Sequence, residues 1–140
     1  MEKNFMLDCV DGVQHIGIPT NDIEKTIAFY EGLGFELIYQ TINEKADEKV
    51  AFLQIGNLVI ETYENKTAVL KTGSIDHIAL NAKNIESLFK EMKSAGYEIL
   101  DDAVQLLPFW EYGVKFFTIT GPNAEKIEFC ERLDAPCTND

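Results

Sequence analysis

The chain has 140 residues, enough for one domain with a modest core, and its 46% hydrophobic content is ordinary for a globular protein. A net charge of −12, from 24 acids against 12 bases, disfavours nucleic acid and anionic lipid as partners. No apolar run approaches the roughly 20 residues of a membrane span, and Met1 to Gly12 carries acids without a long apolar stretch, so the chain is expected to lack a signal peptide and to work in the cytoplasm. Three cysteines (Cys9, Cys130, Cys137) without CxxC spacing fit a reducing compartment. Cys130, in an apolar strand pattern, reads as a small core residue.

In chain order, a short β-branched run containing His15 and Ile16 is followed by an amphipathic helix. Ile23, Ile27, Tyr30 and Leu33 form its stripe, Asn21 or Asp22 its cap, and Gly32 and Gly34 its stop. Three strand patterns follow: Phe35 to Ile42, Val50 to Gly56 and Leu58 to Glu64, with a Gly56-Asn57 turn between the last two. The polar segment Asn65 to Ser74 leads to a second short strand with His77. A second helix, with stripe Ile85, Leu88, Phe89 and Met92, ends at Gly96. Strand patterns at Tyr97 to Asp101, Val114 to Thr120 and Glu125 to Glu131 complete the series. The loop Ala103 to Gly113 holds Phe109, Trp110 and Tyr112, which are placed to cover a cleft, to pack as a loop or to make a dimer contact. Glu111 and Lys115 read as solvated, and the tail from Asp134 as frayed.

The second half repeats the first. Val13 to Leu37 aligns with Ile75 to Ile99 at an offset of 62 without a gap, placing His15 on His77, Ile16 on Ile78 and Gly34 on Gly96. At the ends of the halves the offset is 67, placing Glu61 on Glu128 and Glu64 on Glu131. The expected fold is therefore α+β. Two tandem βαβββ modules, about 13–64 and 75–133, form one domain over residues 1–140, since a module of about 60 residues buries too little surface alone.

Strand alternation puts His15 and His77 opposite the helix-facing residues, and Glu61 and Glu128 away from the apolar neighbours that flank them. Singly, a strand histidine is more often a hydrogen-bonded core residue, and a strand glutamate a solvated one. Jointly, the chain's only two histidines and two glutamates occupy repeat-related positions. Two imidazoles and two carboxylates suit one divalent ion (Ni, Zn, Co, Fe or Mn), with open coordination positions left for water or substrate.

The segments QHIGIPTNDIEKTIAFYEGLGFEL, LVIETYE, DHIALNAKNIESLFKEMKSAGYEI and GPNAEKIEFCE resemble the glyoxalase/bleomycin-resistance group, the vicinal oxygen chelate superfamily. The likeness spans about Val13 to Leu133 and implies two βαβββ modules closing a cupped mixed sheet around a metal, commonly in a homodimer. His15, Glu61, His77 and Glu128 match the ligand positions of glyoxalase I (lactoylglutathione lyase) most closely. The resemblance implies a lyase or isomerase that moves a proton beside a carbonyl, through a metal-stabilised enediolate, on the hemithioacetal of an α-oxo aldehyde. Glu128 would be the base, with Glu61 sharing the role. The alternatives are an epimerase of methylmalonyl-CoA type, which usually carries glutamine at the position of Glu61, and a metal-free small-molecule-binding or resistance protein. Glutathione-using members hold the thiol's carboxylates with arginines, one usually a few residues after the first histidine. Here the sole arginine is Arg132, which argues against glutathione.

Overall fold

The computed structural model describes residues 3–136; of the tail predicted to fray from Asp134, Cys137 and the residues after it lie outside the described residues. The chain separates into two compact units, residues 1–69 and 70–140.

The first unit opens with helix α1 (Lys3–Cys9), which the sequence did not predict. Strand β1 (Ile16–Thr20) leads into helix α2 (Ile23–Gly32), followed by β2 (Glu36–Asn43), β3 (Glu48–Ile55) and β4 (Leu58–Glu64). The strands form a mixed sheet in the order β1-β4-β3-β2. Its one parallel pair is β1 with β4, as the helical crossover between β1 and β2 permits. The stripe of α2 packs on one face of this sheet: Ile23, Thr26, Ile27 and Tyr30 are buried against Ile18, Ala51, Leu53 and Ile60. Leu33 is only half-buried.

The helix is held at both ends. Asp22 accepts from the Lys25 N–H as its N-cap, and Gly34 takes φ +97° beyond the C-cap Leu33. Glu64, on the helix-facing side of β4, accepts the Ile23 N–H at 2.8 Å and so ties the last strand to the helix start.

The second unit repeats this plan with β5 (His77–Asn81), α3 (Ile85–Ser94), β6 (Gln105–Leu107), β7 (Val114–Thr120) and β8 (Lys126–Arg132), in the sheet order β5-β8-β7-β6. Glu131 accepts the Ile85 N–H at 3.0 Å, as Glu64 does for Ile23. Ile85 and Met92 of α3 are buried over Phe117, Ile119, Ile127 and Phe129, and Phe117 meets Phe89 edge-on.

The predicted strand at Tyr97–Asp101 does not form. Only Ile99 bridges to Ile119, after which the Asp101 carboxylate accepts the Thr118 N–H at 2.8 Å and takes the place a strand carbonyl would fill. The backbone leaves the sheet there and rejoins it at Gln105, within the segment predicted as loop. Lys115 was expected to be solvated; it instead lies half-buried and pairs with Glu86 at 3.4 Å.

Two substitutions test this packing. Phe117→Ala should remove about 3–5 kcal/mol of stability, because the ring is fully buried and its loss leaves a cavity in the core. Glu64→Ala should remove about 1–2 kcal/mol by leaving the Ile23 N–H unpaired. Urea unfolding followed by circular dichroism checks both.

Candidate metal centre

Each module brings one histidine and one glutamate together on the sheet face opposite its helix. In the first, Gly17 pairs with Glu61 across the parallel β1–β4 ladder, and His15 lies two residues before Gly17, on the same side. In the second, Ala79 pairs with Glu128 and His77 lies two residues before Ala79. The separations agree: His15 Nε2 lies 3.8 Å from Glu61 Oε1, and His77 Nε2 lies 3.8 Å from Glu128 Oε1.

The imidazoles are oriented by repeat-related neighbours. Gln14 Oε1 lies 2.6 Å from His15 Nδ1, and Asp76 Oδ2 lies 3.0 Å from His77 Nδ1. An acceptor oxygen at Nδ1 favours the tautomer with the ring proton on that nitrogen, which leaves Nε2, the nitrogen nearer the glutamate, as the one suited to ligate a metal. Its hydrogen bond with His77, and then that with Lys126, hold the Asp76 carboxyl below its ordinary range, so it remains the acceptor at neutral pH.

The gap of 3.8 Å is too long for a hydrogen bond. It slightly exceeds the roughly 3.0–3.4 Å that separates two ligands bound to one ion at about 2.1 Å each. An imidazole nitrogen and a carboxylate oxygen are the donors borderline divalent ions take. Each module thus gathers two donors of the right kind. Among the described residues no group of three or more His, Cys, Asp or Glu is placed so as to hold a metal ion.

The surroundings are equally legible. Phe52 pairs with Glu61 across β3–β4, and its ring meets the His15 ring edge-on with centroids 5.8 Å apart. A methyl group placed on Gly17 would meet Tyr63 at 3.6 Å and Glu61 at 4.0 Å, ordinary contacts that match the alanine at the equivalent place in the second module.

One expectation is corrected here. Cys130, read as a core residue, is half-buried and shares the open face with Glu128, to which its thiol hydrogen-bonds. Burial, and then the Glu128 charge, raise the thiol above its ordinary range and keep it protonated. The alternation that placed Glu128 places Cys130 as well, since the two are two residues apart on one strand.

With this geometry in hand, the comparisons identify the class. The model of the Glyoxalase/Bleomycin resistance protein/Dioxygenase superfamily matches residues 12–129, and the chain belongs to that family. It is 30% identical over 125 residues to the uncharacterized protein YwbC of Bacillus subtilis (strain 168), covering 86% of this chain and 97% of that one. Two solved structures share the fold. The fosfomycin resistance protein FosX from Listeria monocytogenes, complexed with Mn(II) and sulfate, matches at 19% identity with a TM-score of 0.67, covering 89% of this chain and 95% of its own. A V278E mutant of glyoxalase I from Zea mays matches at 23% identity with a TM-score of 0.68, covering 87% of this chain and 45% of its own. No helix among the described residues is long and apolar enough to cross a membrane.

Replacing Gly17 by Ala is expected to leave the first His–Glu pair intact and to raise stability by about 0.5–1 kcal/mol, through a less flexible unfolded chain. A melting temperature and a metal-binding titration of the variant check both halves of that statement.

Proposed function

We propose that the protein is a metal-dependent lyase or isomerase of glyoxalase I type. In this reading His15, Glu61, His77 and Glu128 together hold one divalent ion (Ni, Zn, Co, Fe or Mn), and the two modules work as one domain. The observation that carries it is the doubled pair: each module sets a histidine Nε2 3.8 Å from a glutamate oxygen, with Nδ1 beside an acceptor.

A bound divalent ion would supply Lewis acidity at the substrate's oxygens. The chain's own part is proton transfer between adjacent carbons of an α-oxo hemithioacetal. Glu128 takes the proton from the carbon bearing sulfur and returns it to the neighbouring carbon; the Glu61 carboxylate serves the opposite side. His15 and His77 hold their ring protons on Nδ1 and take no part in the transfer. Phe52 packs edge-on against His15 on that flank. A small-molecule substrate, a cytoplasmic setting and a homodimer complete the reading.

The test is metal content by plasma mass spectrometry on protein purified without an affinity metal, alongside the His77→Ala and Glu128→Gln variants. About one ion per chain is expected, with at least a tenfold loss of affinity in His77→Ala. Assays with methylglyoxal and several thiols should show turnover that Glu128→Gln reduces by about 10²–10⁴-fold. Absence of a bound ion after reconstitution with Ni, Zn, Co and Mn would overturn the enzyme reading in favour of a metal-free binding protein. Turnover of an acyl-CoA in place of the hemithioacetals would redirect it to the epimerase.

A further inference from the structure

Arg132 ends β8, and alternation along that strand sets it on the same face as Glu128 and Cys130, about 13 Å from Glu128 at 3.3 Å per residue. Glu131, between Cys130 and Arg132, turns to the other face and caps α3, which fixes the parity. The Arg132 guanidinium lies over the indole of Trp110, 4.2 Å from the ring centroid. That stack covers a face of the guanidinium and leaves its N–H edges open.

The local chemistry is unusual for this chain. It carries twice as many acids as bases, yet among the described residues its only arginine has no carboxylate within ion-pairing distance. Trp110 is 68% exposed and takes φ +63°, a left-handed conformation that a bulky residue adopts at a steric penalty. Leu133 donates its N–H to Gly113 at 3.0 Å, holding the end of β8 against the loop that carries the indole. Beside the stack lies a cleft of about 630 Å³, walled by Trp110, Leu106, Leu107, Pro108, Tyr112 and the exposed Glu111. The protein thus holds an apolar hollow and an unneutralised planar cation on one large aromatic ring, at the price of backbone strain.

We propose that Arg132 and Trp110 form a subsite for a small amphiphilic anion. The ligand's carboxylate or phosphate is taken by the open edge of the guanidinium, and its apolar body lies in the cleft against the indole. An oxyanion matches the guanidinium fork in two parallel hydrogen bonds, which a neutral or cationic head group cannot make. The subsite goes beyond the metal reading and does not rest on it. If both hold, the substrate carries an anionic group on the side of its reacting carbons that faces the end of β8.

Trp110 is the only tryptophan, so its fluorescence reports this place alone. The probes are octanoate and octyl phosphate, with octanol and octylammonium as controls, titrated into the full chain with and without EDTA. A saturable change in emission is expected with at least one anion, at least tenfold tighter than with octanol and unaffected by EDTA; which anion responds distinguishes carboxylate from phosphate. Arg132→Gln, checked for folding by circular dichroism, should abolish the tenfold preference and leave the octanol response unchanged. Equal response to octanol, no response to any probe, or an intact preference in Arg132→Gln would overturn the proposal. Metal content is unaffected by any of these outcomes, so failure here and failure of the metal reading are separate results.

Discussion

The two-residue repeat of an extended strand is the constraint on which the rest of this structure hangs. Each module's last strand carries two glutamates three residues apart, Glu61 and Glu64 in β4, Glu128 and Glu131 in β8. An odd separation sends them to opposite faces. The helix-side member accepts the first amide of the helix and fixes how that helix lies on its sheet. The other member stands on the open face beside a histidine. One spacing therefore couples the anchoring of the core to the construction of the polar pair, and a slip of one residue in strand register would lose both.

Around that pair the modules agree in kind and differ in detail. A side-chain acceptor just before each histidine fixes the ring, but Gln14 is neutral while Asp76 is charged and is itself held by Lys126. Phe52 flanks the first pair, whereas Thr118 occupies the corresponding position opposite Glu128, where Cys130 also joins the face. The first pair is thus set against an aromatic wall and the second in a more polar, more strongly charged setting.

Much of the fold was legible because periodicity and punctuation agree. Ile23, Ile27 and Tyr30 are spaced for one helical face and are buried there, and Leu58–Glu64 and Val114–Thr120 are strands with the predicted bounds. What escaped the sequence lies where local signals conflict with tertiary ones. The α1 helix exposes Phe5 and Leu7 to solvent, so no stripe marks it. Tyr97–Asp101 has the composition of a strand, but the Asp101 side chain competes for the ladder position and ends the pairing after one bridge. The open-face placement of His15, His77, Glu61 and Glu128 could be read by alternation alone. The orienting bonds from Gln14 and Asp76 could not, because side-chain hydrogen bonds leave no periodic trace. The left-handed backbone at Trp110 was likewise invisible, since nothing in Phe-Trp-Glu-Tyr calls for a positive φ.

The parallel pairing of first and last strands also bears on how the chain reaches this structure. In the first module the pair joins residues 44 apart, as in the bond from Thr62 to Ile18, whereas the hairpins β2–β3 and β3–β4 need only short turns. Loop closure favours the hairpins early and leaves β1 to dock once β4 has a place for it. All the residues of that first closure lie before position 65, so the strands of the N-terminal module are all available to pair before those of its copy have been synthesised. A chain built from two halves of the same strand order risks exchanging strands between them. Vectorial synthesis, which presents one set of strands before the other exists, disfavours that competitor by timing.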